Sequence, residues 1–355
     1  MSGAVVREAL SAVEAGTPCA LATVVATKGS TPQKVGAKLL VRADGGFAGT
    51  LGGGAVEAEA IREAREVLAS RTALRREYAL AGATDEWGLA CGGTMVVFIG
   101  PLTLEALPWL AAAAAALGGG EPVAVISLID GAGRPGARLL VRRGRTEGGL
   151  GAPELDRAAV ELGTRLLETE GAEVVTVEDA TLYGEAFAPR PALILAGAGH
   201  VGKALAGLGR FLGFRVVVID DRPEYASRER FPEADEVLAR PMGEALRAFP
   251  VTPSSAIVVA ARNQDLDYEA TRAALATPAR YVGLVGARRK ATQVTERLVA
   301  EGIPPERVRQ LRSPIGLDLG ARTPEEIAVA VVGEILMLRR GAAGRPMRLD
   351  ERRSD

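Results

Sequence analysis

The apolar positions of this 355-residue chain follow two different rhythms, which meet near residue 188. Behind that point, short β-rich runs alternate with helical periods. Residues 192–198, 216–220, 256–261 and 280–286 each form a bounded apolar run and read as strands. Residues 201–212, 266–277 and 287–301 place their apolar side chains at helical spacing. This alternation predicts a doubly wound parallel sheet. A final helix is expected from Thr323 to about Arg340, with Thr323 as N-cap, Pro324 at the first helical position and Glu326 completing a capping box. The segment YGEAFAPRP, residues 183–191, carries two prolines and marks the seam. The expected organisation is a first domain over 1–188, a second over 189–340 and a loosely held basic tail over 341–355.

The first half repeats itself. Residues 35–42 read VGAKLLVR and residues 135–142 read PGARLLVR. Each follows an apolar strand, at 20–26 and 123–129, and each leads through glycines into an acidic-apolar helix, at 54–69 and 153–168. Two copies of a strand–strand–helix unit are therefore expected in an α+β domain. The first copy keeps three glycines at 52–54 where the second has Gly151-Ala152-Pro153, so any chemistry is expected in the first.

Composition narrows the function. Lys and Arg total 43 against 44 Asp and Glu, a net charge of −1, which argues against a nucleic-acid binder. No apolar run reaches the roughly 18 residues of a membrane span. The first residues carry acids at helical spacing, unlike a secretory signal, so a cytoplasmic location is expected. His200 is the one histidine, and Cys19 and Cys91 are the two cysteines. That leaves too few ligands for an all-protein zinc site and no disulfide framework.

Glycine, with 43 residues, is where the candidate chemistry gathers. In residues 192–226 an apolar strand enters Gly197-Ala198-Gly199-His200-Val201-Gly202, then a helix, then the strand VVVID. Gly197 permits a tight turn, Gly199 lets main chain approach a pyrophosphate, and Gly202 permits close packing of helix on strand. The helix N-terminus presents amides and a positive dipole end to an anion. Asp220 closes the second strand, where an acid can accept ribose hydroxyls. Asp221 would repel a 2′-phosphate and Arg222 would partly offset that, so NAD is weakly favoured over NADP. His200 either contacts a bound phosphate or pterin-like ring or is a loop histidine bonded to backbone.

Two further clusters lie in the first half. Gly52, Gly53 and Gly54 precede a helix whose apolar face runs through Val56, Ala60, Ile61, Ala64, Val67 and Leu68. Their amides could wrap an oxyanion. Glu57 sits in the first turn, more as a partner of the helix dipole than as an acid–base group. Upstream, Lys28, Ser30, Lys34 and Lys38 could contact a phosphate or be solvated loop charge. Cys91 is followed by Gly92 and Gly93, an open setting that suits a soft metal ligand or sulfur carrier. A small buried hydrophobe is the plain alternative, and it is the expected state of Cys19. In the second half, Arg262, Asn263, Gln264, Asp265 and Asp267 could wall a ligand cleft, and Arg288-Arg289-Lys290 could hold a phosphate or be a solvated helix end.

The motifs GSTPQKVGAKLLV, GTLGGGAVEAEAI, Cys91-Gly92-Gly93, GAGHVG with VIDDRPEYA, YVGLVGARRK and PIGLDLGARTPEEIA together resemble the XdhC/CoxI family of xanthine dehydrogenase accessory factors. The resemblance spans roughly residues 8–340 in the family's order. It implies a family-specific first domain and a Rossmann-like second one. It implies binding of molybdenum cofactor, help with its sulfuration, and insertion into a molybdenum hydroxylase of the xanthine or carbon monoxide dehydrogenase type, with a cysteine desulfurase as a further partner. Many relatives carry a cysteine where this chain has Ala55 and Thr-His where it has Ala261-Arg262. Cys91 is therefore left as the well-placed thiol and His200 stands alone. In this expectation the turns at 52–54 and 197–202 hold phosphate while Cys91 approaches molybdenum. The alternative is an NAD(P)-dependent oxidoreductase using the 197–202 loop with His200 or Cys91 in catalysis. A homodimer is expected, because the Gly- and Ala-rich first half buries little large apolar surface alone.

Overall fold

The computed structural model describes residues 2–80 and 92–346. The chain divides into two compact units, Met1–Pro189 and Arg190–Asp355. The first runs through helix α1 (Ser2–Glu14), strands β1 (Cys19–Lys28), β2 (Lys38–Arg42) and β3 (Phe47–Gly49), helix α2 (Gly54–Ser70), and strands β4 (Leu74–Leu80) and β5 (Gly93–Leu102). The same order then recurs as α3 (Leu107–Leu117), β6 (Val123–Asp130), β7 (Arg138–Arg142), β8 (Arg145–Gly148), α4 (Pro153–Thr169), β9 (Ala172–Val177) and β10 (Ala180–Phe187). Each copy builds one five-stranded antiparallel sheet, β3-β2-β1-β5-β4 and β8-β7-β6-β10-β9. The repeat is thus larger than the strand–strand–helix unit expected from sequence. Its remaining strands differ too much between copies to be seen as a pair.

Strand β1 shows why these runs look uniformly apolar. Ala20, Ala22 and Val24 meet Val56, Ala60 and Ala64 of α2 on one face. Cys19 and Leu21 join a second core with Val6 of α1, Trp109 and Leu110 of α3, and Val125 and Leu140 of the other sheet. Both faces are covered, so no polar alternation survives. The second copy seats α4 on its own sheet through Leu155, Ala159, Leu162 and Leu166. Gly49 and Gly148 end the equivalent strands at φ 88° and 90°, each where a Cβ would collide with the carbonyl of Lys38 or Arg138.

The second unit comprises β11 (Ala192–Ala196), α5 (His200–Phe211), β12 (Arg215–Asp220), β13 (Glu236–Ala239), α6 (Met242–Ala248), β14 (Ala256–Val259), α7 (Gln264–Leu275), β15 (Tyr281–Leu284), α8 (Arg288–Ala300), α9 (Pro305–Val308), β16 (Leu311–Arg312) and α10 (Pro324–Arg340). Its sheet is parallel throughout, in the order β13-β12-β11-β14-β15-β16. The order reverses between β11 and β14, which is where such sheets accept ligands at their carboxyl ends. Leu193 and Leu195 face α5 and α10. Ile194 and Ala196 face α6, α7 and α8. Helix α7 starts two residues earlier than its apolar spacing suggests, because the Asn263 side chain accepts the Leu266 amide at 3.0 Å and caps it. β13 escaped sequence detection because it is a half-exposed edge strand. The capping box of α10 is formed as expected.

Candidate functional site

The first-half motifs come together at one end of the first sheet. Lys28 pairs with Thr94 across β1 and β5. A Cβ on Gly29 would lie 3.2 Å from the Gly93 Cα, and one on Gly52 would lie 2.5 Å from the Pro32 side chain. Gly93 leaves no room for a side chain against the Ser30 carbonyl, whereas Gly92 faces open space. The loop after β1, the glycine turn before α2 and the start of β5 therefore share one locus. Cys91, adjacent in sequence, lies outside the described residues.

The glycine turn already holds an oxyanion, and it belongs to the chain. The Glu57 carboxylate accepts the Leu51 amide at 2.8 Å, the Gly53 amide at 3.2 Å and the Thr50 hydroxyl at 2.5 Å. The Gly52 amide donates to the Thr50 oxygen at 3.0 Å. Glu57 thus does more than complement the dipole: it takes up the Gly53 amide, one of the three that Gly52, Gly53 and Gly54 were expected to offer a phosphate. The second copy uses the same device, with Asp156 accepting the Leu150 amide at 2.6 Å.

The turn at the head of α5 differs. Gly197 has φ 130°, and a Cβ there would strike the Ala260 carbonyl across the switch point. Gly202 abuts the Gly197 carbonyl, while Gly199 looks into open space. No side chain caps α5, and exposed His200 is its first residue. Its first amides therefore point outward as donors.

The acids beside this turn are engaged. Asp220 is 2 % exposed, and its Oδ2 accepts the Ala198 amide at 2.9 Å and Arg222 Nη2 at 3.0 Å. Its Oδ1 accepts the Arg222 amide at 3.1 Å and Nε at 2.9 Å. Burial pushes this carboxyl upward, and the bonds from Arg222 and Ala198 outweigh it and hold the group below the usual carboxylate range. Asp221 accepts both arms of Arg262, one at 2.8 Å. Asp220 thus accepts four hydrogen bonds from within the chain, the full capacity of a carboxylate, at the position where a ribose diol was expected. Tyr225 carries Arg222 and Arg230 against its ring at 3.6 and 4.8 Å. No spacing in the sequence announces Arg230, which arrives from a loop 28 residues beyond Gly202.

At the neighbouring loop, buried Asp267 accepts the Ala261 amide at 3.0 Å and pairs with Lys290. Burial raises its pKa, against the pull of Lys290 and that amide. Among the described residues no group of three His, Cys, Asp or Glu side chains could hold a metal ion. Cys19 is buried, and its thiol is pushed up to about 11 by burial, which unfits it as a metal ligand. Among these residues no helix is long and apolar enough to cross a membrane.

Comparison with known proteins bears on this arrangement. The description of the XdhC Rossmann domain matches residues 193–335, and that of the XdhC and CoxI family matches residues 12–79. The uncharacterized protein YqeB of Escherichia coli is 29% identical over 95% of this chain, which spans only 46% of YqeB's length. A Bacillus subtilis protein described as a probable xanthine dehydrogenase subunit is 29% identical over 91% of this chain and 94% of its own. The Escherichia coli molybdenum cofactor insertion chaperone PaoD is 24% identical over 94% of this chain and 88% of its own. A Bacillus halodurans crystal structure described as a xanthine dehydrogenase superposes with a TM-score of 0.71, at 25% identity and 96% coverage of both chains. Two family descriptions in order, each on its own folded unit, leave one conclusion: the chain belongs to the XdhC and CoxI family.

Proposed function

We propose that this protein is an accessory factor that holds molybdenum cofactor, assists its sulfuration, and passes it to a molybdenum hydroxylase of the xanthine dehydrogenase type. The relative named as a molybdenum cofactor insertion chaperone, matched along nearly the whole chain, supports the reading. The observation that carries it is the uncapped head of α5, opened by Gly197 and Gly199 at the switch point of the parallel sheet. Its amides suit a phosphate-bearing cargo. Cys91, beside Gly92 and Gly93, is assigned the soft contact to molybdenum or to a persulfide sulfur supplied by a desulfurase. The protein then works in the cytoplasm, where thiols stay reduced, as a homodimer. An oxidoreductase using NAD(P) has less support, since Asp220 and Asp221 are both held by arginines.

The test is purification from cells that make the cofactor, with molybdenum and pterin measured per chain. The wild type is expected to carry both, and Cys91→Ala to lose molybdenum and fail to activate the hydroxylase. A variant that retains cargo and still activates overturns the cysteine role. A wild-type protein free of cargo that oxidises NADH overturns the carrier reading.

A further inference from the structure

The register of the two sheets equates residues of one repeat with residues of the other. Lys38 opposes Thr23 in the first sheet, and Arg138 opposes Ser127 in the second. On their other sides, Thr23 lies opposite Phe98 of β5 and Ser127 opposite Tyr183 of β10. Leu21 lies opposite Gly100, where Val125 lies opposite Glu185. Lys38 thus corresponds to Arg138, Tyr183 to Phe98 and Glu185 to Gly100.

The correspondence exposes an imbalance. Glu185 meets Lys38 at 2.5 Å and accepts the Tyr183 hydroxyl at 3.1 Å. A Cβ on Gly36 would lie 3.5 Å from the same carboxylate. Beside Arg138, glycine and phenylalanine stand where the acid and the hydroxyl would be. A Cβ on Gly100 would lie 4.0 Å from Arg138 Nη2, and one on Gly136, the equivalent of Gly36, would have nothing within 4 Å. Arg138 donates to the Gly136 carbonyl at 3.1 Å and lies over the Trp109 ring. Among the described residues no carboxylate pairs with it. Desolvation alone lowers its pKa, to about 10. A desolvated cation without its counter-charge is costly.

Arg138, Gly100 and Gly136 line a groove of 1120 Å³ within the first unit, and Arg138 keeps part of its surface open. The exposed charges of the groove balance, Arg71 and Arg134 against Glu105 and Glu147, so Arg138 supplies its net positive charge. Pro101, Pro108 and exposed Leu104 give it an apolar wall. A single planar guanidinium in such surroundings matches a planar monoanion that it can bond through two N–H groups. A dianion would bring a second charge with no partner.

We propose that this groove binds a small monocarboxylic acid with an apolar body, its carboxylate taking beside Arg138 the place that Glu185 takes beside Lys38. The groove is large enough for such a molecule. The site involves neither the head of α5 nor Cys91.

The full-length protein is titrated by calorimetry with para-bromobenzoate, with the neutral para-bromobenzamide and with inorganic phosphate. The carboxylate is expected to bind about tenfold tighter than either, because it alone makes the charge-assisted paired bonds. Crystals soaked in para-bromobenzoate should show the anomalous signal of bromine in the groove, with the carboxylate on Arg138. Arg138→Gln is expected to lose about tenfold in affinity. Gly100→Glu supplies the acid from the chain itself, and is expected to abolish binding and raise the melting temperature by a few degrees. Its Cβ would lie 3.3 Å from the Phe98 ring, which must yield slightly. If either variant does not fold, the bromine position and the ratio of acid to amide affinity decide. Equal affinity for acid and amide, tighter binding of phosphate, bromine outside the groove, or undiminished binding in a folded variant overturns the site.

Discussion

The carboxylate of Glu57 receives the amide of Leu51 at 2.8 Å, six residues back across the glycine turn. One repeat later Asp156 receives the amide of Leu150, also six residues back. An internal anion therefore pins the loop to the helix in both copies.

Glu57→Ala is expected to cost about 1–2 kcal/mol, the range for a lost cap with amides left unpaired. The melting temperature should drop by several degrees. Sulfate or phosphate should restore part of that loss in the variant and add nothing comparable in the wild type. Scanning calorimetry with and without the anion checks this.

Asp220→Asn should reveal itself through pH. The folded carboxyl sits below its ordinary value of 3.8, so its contribution is present above that value and is lost as pH falls through the lower folded value. At pH 7 the variant should be less stable by about 1.5–3 kcal/mol, as for hydrogen bonds to a charged group. The gap should close in acid below about pH 3.8. Urea unfolding from pH 7 to pH 3 measures it.

Asp267 should behave in the opposite sense. Burial raises its folded pKa above the ordinary 3.8, so its contribution is present below that value and is lost as pH rises through the folded value. Lys290→Gln removes the partner and leaves a buried carboxylate exposed to that penalty, roughly 3 kcal/mol. The variant's loss should be greatest at neutral pH and shrink toward pH 4, which thermal melts across that range would show.

Three glycines in one region separate folding from binding. Gly197→Ala should unfold the second unit or lower its melting temperature strongly, because φ 130° and the Ala260 carbonyl both forbid a side chain. Gly207→Ala, facing open space in the middle of α5, should stabilise by about 0.5–1 kcal/mol. Gly199→Ala should cost little stability, since its methyl would meet nothing within 4 Å, yet reduce phosphate-induced stabilisation by filling the open space that an anion would enter. Calorimetric titration of the three variants with phosphate tests the set.

Much of the fold was legible because its signals are local. Strand–helix alternation after residue 188 yields the parallel sheet, and Thr323 with Glu326 marks the start of α10 within a residue. The duplicated VGAKLLVR and PGARLLVR yield the repeat. The limits of legibility were long-range pairings. Nothing in the glycine turn says that Glu57 will occupy it, because a first-turn acid can equally point to solvent. Nothing in VIDDRP says that Arg222 will curl back onto Asp220. The missing acid opposite Arg138 depends on β10, about fifty residues on, placing Glu185 beside the other copy's lysine.

The helix α10, last of the described elements, packs Ala328, Val331, Val332 and Ile335 into the same core as Leu205 and Ala206 of α5. Tyr281 and the Gly316 amide also anchor to its Glu334, at 2.6 and 2.9 Å. One face of the parallel sheet thus stays only partly covered, by α5 alone, until α10 has been made. A nascent chain lacking those closing turns would present Leu193, Leu195 and Phe214 to whatever waits at the ribosome exit, so truncation even a few turns short of Arg340 should yield inclusion bodies rather than a trimmed, working protein.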